Sequence, residues 1–191
     1  DGGASWKNMG LKSSEHIGNI LIHPENSDIV YVSAYGPLWN KGGDRGIYKT
    51  IDGGKSWNKI LFIDEHTGFN EIHMDPRNPD VLYATSHQRR RHVYTYVGGG
   101  PGSGIHKSVN GGNTWRKINK GLPGVEIGRI GMDISDANPE VIYAIVEASE
   151  RKGGFYKSTN RGESWQKQSS KVTSGNCLLY TSPSPRDQLG S

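Results

Sequence analysis

The chain has 191 residues, 27 of them glycine, with 9% aromatic residues and a formal charge of +4. That length suits about one domain, and its apolar stretches are short and bounded by Gly, Pro, Asn or Asp, which favours many short strands over long helices. No stretch approaches the ~18 consecutive apolar residues of a membrane span, and the single basic run, Arg89, Arg90 and Arg91, lacks the interleaved aromatics of a nucleic-acid stacking platform, so neither a membrane span nor a nucleic-acid partner is expected.

The chain opens on Asp1-Gly-Gly3-Ala-Ser5-Trp6, a short form of an eight-residue pattern that returns three times. The full copies are Thr50-Ile-Asp52-Gly-Gly54-Lys-Ser56-Trp57, Ser108-Val-Asn110-Gly-Gly112-Asn-Thr114-Trp115 and Ser158-Thr-Asn160-Arg-Gly162-Glu-Ser164-Trp165. Trp6, Trp57, Trp115 and Trp165 lie 51, 58 and 50 residues apart. A fixed period of this size marks a repeat architecture. Because the chain begins inside a motif, it carries no information on a leader segment.

More than the turn repeats. A short strand precedes each full copy: Gly46-Ile-Tyr-Lys49, Gly104-Ile-His-Lys107 and Gly154-Phe-Tyr-Lys157. Further upstream lies a strand–turn–strand run, Gly18 to Tyr31, Asn70 to Tyr83 and Gly128 to Tyr143. Each repeat thus holds four short strands a, b, c and d, which in the first are about 17–22, 29–34, 46–50 and 56–62. Four antiparallel strands per repeat of roughly 50 residues make a β-propeller blade. The fold class is therefore all-β, a β-propeller with four antiparallel strands per blade, and incomplete. Residues 1–14 end one blade, 15–66, 67–124 and 125–176 form three more, and the remaining blades of the same chain are expected neighbours. Runs such as Ile20-Leu21-Ile22 and Val30-Tyr31-Val32 are apolar at consecutive positions, as suits sheets covered on both faces.

Residues 177–187, CLLYTSPSPRD, break every pattern before them. They resemble one translated frame of a transposase-type sequencing adapter, so the natural sequence is expected to end near Gly175 or Asn176, with 177–191 a non-native tail. The only cysteine, Cys177, falls in that tail. The body then offers no disulfide, zinc site or thiol nucleophile, and no cofactor or metal is expected.

The repeated turn has a physical reading. Asp52, Asn110 and Asn160 are suited to accept backbone N–H groups inside the c–d hairpin, as Asx side chains do in turns, and Asp1 holds the same place in the short copy. Trp6, Trp57, Trp115 and Trp165 are expected to cover the hairpins between blades. These are structural roles.

On these residues the chain resembles the Asp-box (BNR-repeat) propellers of sialidases, two-propeller xyloglucanases and sortilin-type receptors. It is most similar to bacterial sortilin-like, glycosyl-hydrolase-like proteins, through Gly36-Pro-Leu-Trp-Asn40, Gln88-Arg-Arg-Arg91, Gly99-Gly-Pro-Gly-Ser103 and Gly128-Arg-Ile-Gly131. The resemblance spans about 1–176 and implies a periplasmic or secreted location. The 191 residues include no cysteine-rich module of the sortilin type, which truncation of the chain would explain, and no Arg-Ile-Pro segment of the sialidase type. No catalytic carboxylate pair of the xyloglucanase type falls on a matching motif, so no active-site residue is carried over.

Antiparallel order places the a–b and c–d turns on one rim and the b–c and d–a loops on the other. The second rim varies between repeats, and binding residues concentrate in such loops. Its candidates are Trp39, Arg45, His87, Arg89, Arg90 and Arg91: an aromatic ring stacks on a sugar, and guanidinium forks suit carboxylates. The expected function is a binding or scaffold propeller that recognises peptide or glycan on this rim. The alternative is a glycoside hydrolase with two carboxylates facing across the centre; the acids on this rim are Asp44, Asp64, Glu65, Glu147 and Glu150.

Overall fold

The computed structural model describes residues 2–170; Asp1 and 171–191, including the expected non-native tail, lie outside the described residues. The strands, in chain order, are β1 (Ile17–His23), β2 (Asn26–Ala34), β3 (Gly46–Thr50), β4 (Asn58–Leu61), β5 (Thr67–Asp75), β6 (Asn78–Gln88), β7 (Arg90–Arg91), β8 (Tyr96–Val97), β9 (Gly104–Ser108), β10 (Arg116–Lys117), β11 (Ile127–Ile134), β12 (Ile142–Ala148), β13 (Gly154–Ser158) and β14 (Gln166–Ser169). Among the described residues they form three four-stranded sheets, β1-β2-β3-β4, β5-β6-β9-β10 and β11-β12-β13-β14, and one two-stranded ribbon, β7-β8. All pairs within these sheets are antiparallel. The sheets are consecutive blades of an incomplete β-propeller.

Strand β6 shows how the sheets stack. Its Leu82 and Ala84 join Tyr31, Ile47, Phe69 and Ile72 in the core shared with the first sheet. The intervening Val81 and Tyr83 belong instead to the core shared with Ile130, Ile142 and Val146 of the third. Side chains alternate across a strand, so a sheet apolar at consecutive positions buries both faces. This holds for β5, β6 and β9. It does not hold for β1, where Ile20 and Ile22 are 62% and 57% exposed, because no further sheet covers that face among the described residues.

The innermost strands are tied by side chains. The Asn19 amide donates to Ile72 O at 2.9 Å and accepts from Ile72 N at 2.9 Å. Asn70 donates to Ile130 O at 2.7 Å, and Glu71 accepts from Met132 N at 2.8 Å. Each inner strand thus satisfies backbone groups that its neighbour's own sheet leaves open.

Candidate functional site

The two rims have opposite characters. On the turn rim one hydrogen-bond set is copied three times. Asp52 Oδ1 accepts Ser56 N at 3.0 Å, Asn110 Oδ1 accepts Thr114 N at 2.9 Å, and Asn160 Oδ1 accepts Ser164 N at 3.0 Å. Two residues earlier, the hydroxyls of Thr50, Ser108 and Ser158 accept the N–H of Gly54, Gly112 and Gly162 at 2.9, 3.0 and 2.9 Å. Hydrogen bonds to its carboxylate, first from Ser56 Oγ and then from Thr50 Oγ1, hold Asp52 well below the usual carboxylate range. The carboxylate is therefore a fixed acceptor, and its place is taken elsewhere by the neutral amides of Asn110 and Asn160.

The same turns clasp the preceding blade. Tyr31 Oη and Lys49 Nζ both donate to Gly111 O, at 3.2 and 3.0 Å, while Tyr83 Oη and Lys107 Nζ both donate to Arg161 O, at 3.3 and 2.8 Å. The acceptor residue sits in the left-handed region, φ 64° at Gly111 and 56° at Arg161, which disfavours a side chain. Arg161 uses its side chain in return, donating to the buried carboxylate of Asp75 at 2.9 Å. Burial acts against ionisation of Asp75, but the hydrogen bonds and charge of Arg77, with the charge of Arg161, outweigh it and hold the carboxyl below its ordinary value.

The tryptophans of the turns differ. Trp165 is 3% exposed and donates to Ile118 O at 2.8 Å. Trp57 and Trp115 are half-buried, and Trp6 is 91% exposed. Packing between blades thus describes Trp165 and not Trp6.

The loop rim is irregular, and its two clefts open there. One, of about 310 Å³, lies between Pro101, Ser103, Lys117, Asn119, Pro123 and Glu126. The other, of about 240 Å³, is lined by His66, Gln88, Arg89, Arg90, His92 and Val97. The loop 35–45 of the first blade is tied to the second where Arg91 N donates to Leu38 O at 2.9 Å; Arg89 N donates to His66 O at 3.2 Å, and a bond from Gly42 N to Glu65 O at 2.8 Å holds the loop against the 62–66 connection. The glycines of 99–103 serve close approach, since a Cβ at Gly102 would lie 2.1 Å from Thr67 Oγ1.

The sequence-predicted ligand residues separate into three groups. Arg45 is fully buried. Its guanidinium donates to Tyr35 O at 2.8 Å, to Asn40 O at 2.9 Å and to Pro37 O. Its place in a long loop suggested a surface fork, yet it shapes the loop from inside. Burial pushes its pKa down, and the charges of Arg89 and Arg90 act in the same direction against the pull of Asp64 and Glu15.

His87 is also buried, bonded to Tyr35 Oη and to Gly98 O. The carbonyl only accepts, so Nε2 carries the proton and Nδ1 accepts from the tyrosine. Burial pushes His87 down to about 4 and Tyr35 up to about 12. Both are neutral and mutually satisfied at neutral pH. Arg89 covers the Tyr35 ring at 3.4 Å from its centroid.

Trp39, 53% exposed, and Arg91 remain at the surface, and Arg90 is half-buried beside them. Beside them stands a feature that sequence reading missed, the β7–β8 ribbon, which raises Tyr94 and Tyr96 to 86% and 47% exposure and stacks His92 on Tyr94 at 5.6 Å.

The five rim carboxylates singled out in the sequence are engaged locally. Asp44 accepts Ser13 N at 2.9 Å, Asp64 accepts His66 N at 2.7 Å and Glu147 accepts Arg129 N at 3.2 Å. Glu65 pairs with Lys41 at 3.2 Å and Glu150 with Lys152 at 2.6 Å. Among the described residues no group of three or more His, Cys, Asp and Glu is placed to hold a metal, and no helix is long and apolar enough to cross a membrane.

No protein-family model matches the chain. It is 25% identical over 198 aligned residues to a xyloglucanase of Hypocrea jecorina (strain QM6a), covering 97% of this chain and 21% of that protein. Among solved structures it is similar to a GH74 enzyme of Niastella koreensis, with TM-score 0.59 and 18% identity over 82% of this chain and 23% of the other. It is similar too to YCF48 of Cyanidioschyzon merolae, with TM-score 0.56 and 18% identity over 94% of this chain and 48% of the other. The structural likenesses are likenesses of fold. The chain spans about a fifth of the curated relative it matches.

Proposed function

We propose that the chain is part of an extracytoplasmic Asp-box propeller that recognises glycans, with the loop rim as its ligand face and the turn rim as scaffold. One observation carries the reading: both clefts and the exposed aromatic residues Trp39, Tyr94 and Tyr96 gather on the rim whose loops vary, which suits a site built on a rigid scaffold. The likeness to a xyloglucanase favours glycan over peptide.

That likeness also favours a second reading, a glycoside hydrolase. Such an enzyme uses two carboxylates about 5–10 Å apart. The five rim acids singled out in the sequence already hold local partners, so in this reading the segment contributes sugar-binding surface and the acid pair comes from other blades. The test is a glycan and peptide array probed with the chain, followed by Trp39→Ala and Arg90→Ala. Binding to peptides alone sinks the glycan reading. Turnover of a bound glycan by the chain joined to its remaining blades, abolished by one Asp or Glu substitution, establishes the hydrolase.

A further inference from the structure

We propose that the cleft beside the β7–β8 ribbon is an anion-binding site for the carboxylate of an acidic sugar, so that the loop rim takes a uronate-bearing glycan. This rests on the glycan reading above and narrows it.

The argument begins with unbalanced charge. Arg89 and Arg90 line the cleft, Arg91 follows them, and Arg45 is buried close enough to feel the charges of the first two. Two lysines of this rim have counter-ions: Lys41 pairs with Glu65 and Lys152 with Glu150. Among the described residues, no carboxylate lies within 4.0 Å of a guanidinium nitrogen of Arg45, Arg89, Arg90 or Arg91. The Nε atoms of Arg45, Arg89 and Arg90 are buried without a hydrogen-bond partner. Partly desolvated like charges are unfavourable, and an entering anion offsets their repulsion.

The geometry selects the kind of anion. Guanidinium forks match a carboxylate with two parallel N–H donors. His66 and His92 lie in the same cleft, and each imidazole ring can add an N–H donor. The ligand's body meets the flat ring of His92 and the apolar side chain of Val97, which line the cleft, and His92 is backed by Tyr94 with planes 15° apart. Such faces take the apolar side of a sugar ring. A volume of about 240 Å³ suits one ring and its carboxylate better than a peptide segment.

The experiment titrates the full chain with trigalacturonate, a neutral xyloglucan oligosaccharide, hexaglutamate and oligothymidylate. Trigalacturonate is expected to bind more tightly than the others and to weaken as salt rises. Arg90→Gln and, separately, Arg89→Gln should each weaken it about tenfold or more, the scale of one lost charge-assisted hydrogen bond, while Arg90→Lys retains part of the affinity. Unchanged circular dichroism certifies the fold of each variant. Equal binding of trigalacturonate and the neutral oligosaccharide, unmoved by Arg89→Gln or Arg90→Gln, overturns the acidic-sugar site and leaves the glycan reading standing. Failure of both sugars overturns the two together. Tighter binding of hexaglutamate or oligothymidylate assigns the cleft to another class of partner and likewise overturns the proposal.

Discussion

The turn rim and the loop rim are built from one chain under opposite constraints. On the turn rim, three copies agree to within 0.1 Å in their Asx and hydroxyl bonds, because one side chain must satisfy the same orphan N–H in each hairpin. On the loop rim, the equivalent connections between β2 and β3, β6 and β9, and β12 and β13 share no length, and their charged groups meet unevenly. Substitutions should therefore cost stability on the first rim and binding on the second.

The largest effect is expected at Trp165. Truncating a buried tryptophan costs ~3–5 kcal/mol, and Trp165 also leaves Ile118 O without its donor. Trp165→Ala should lose most of that range in a denaturant melt, Trp57→Ala and Trp115→Ala less, and Trp6→Ala should stay within about 0.5 kcal/mol. Equal losses at Trp6 and Trp165 would break the link between burial and cost.

Acid should destabilise the core next. His87 and His106 are both buried, and burial lowers each from 6.5 to about 4. Between those values the unfolded chain binds protons that the folded chain refuses, so stability falls as pH drops from about 6.5 towards 4 and levels off below. At 1.36 kcal/mol per pKa unit each histidine contributes on the order of 3 kcal/mol across that window. Melting temperatures of the parent and of His106→Gln, measured from pH 7 to pH 4, test this: the variant should show a shallower slope, and parallel slopes would refute the assignment.

The clasp between blades offers a smaller, internally controlled comparison. Lys107 is 5% exposed and bonds both Arg161 O and Glu163. Lys157, its counterpart one repeat on, lies over Tyr143 at 5.7 Å. Lys107→Met should cost about 2 kcal/mol, the range of a charged hydrogen bond. Lys157→Met should change little, and the two differ only in whether a turn of another blade sits above them among the described residues.

How far the sequence revealed this follows from periodicity. The strands, their order and the two rims were legible because motifs and their spacing repeat. The lysines of the c strands were visible as repeats, but their clasp was not, since it joins residues 62 and 54 positions apart. The site was harder. Arg45 and Arg90 look alike in a loop, and only the fold sets one inside against three carbonyls and the other at a cleft. The β7–β8 ribbon was hidden because its strands hold two residues each, too short for any alternation to register.

The smallest expected effect on stability is at the loop rim, and there it is informative. Trp39 is 53% exposed, and Arg90 has no carboxylate partner among the described residues. Trp39→Ala and Arg90→Gln should each move the unfolding free energy by no more than about 0.5 kcal/mol, the usual range for surface changes. Removing one of several crowded guanidiniums even favours a small gain, since like charges in a partly desolvated cleft repel. Arg45→Gln is the control. It leaves the Pro37, Tyr35 and Asn40 carbonyls short of donors, so it should cost about 1–3 kcal/mol although it removes the same charge. Denaturant midpoints for the three variants decide the matter. A large loss at Arg90 would mean that this arginine is scaffold, and the division between the rims would fail at the residue on which the ligand site depends.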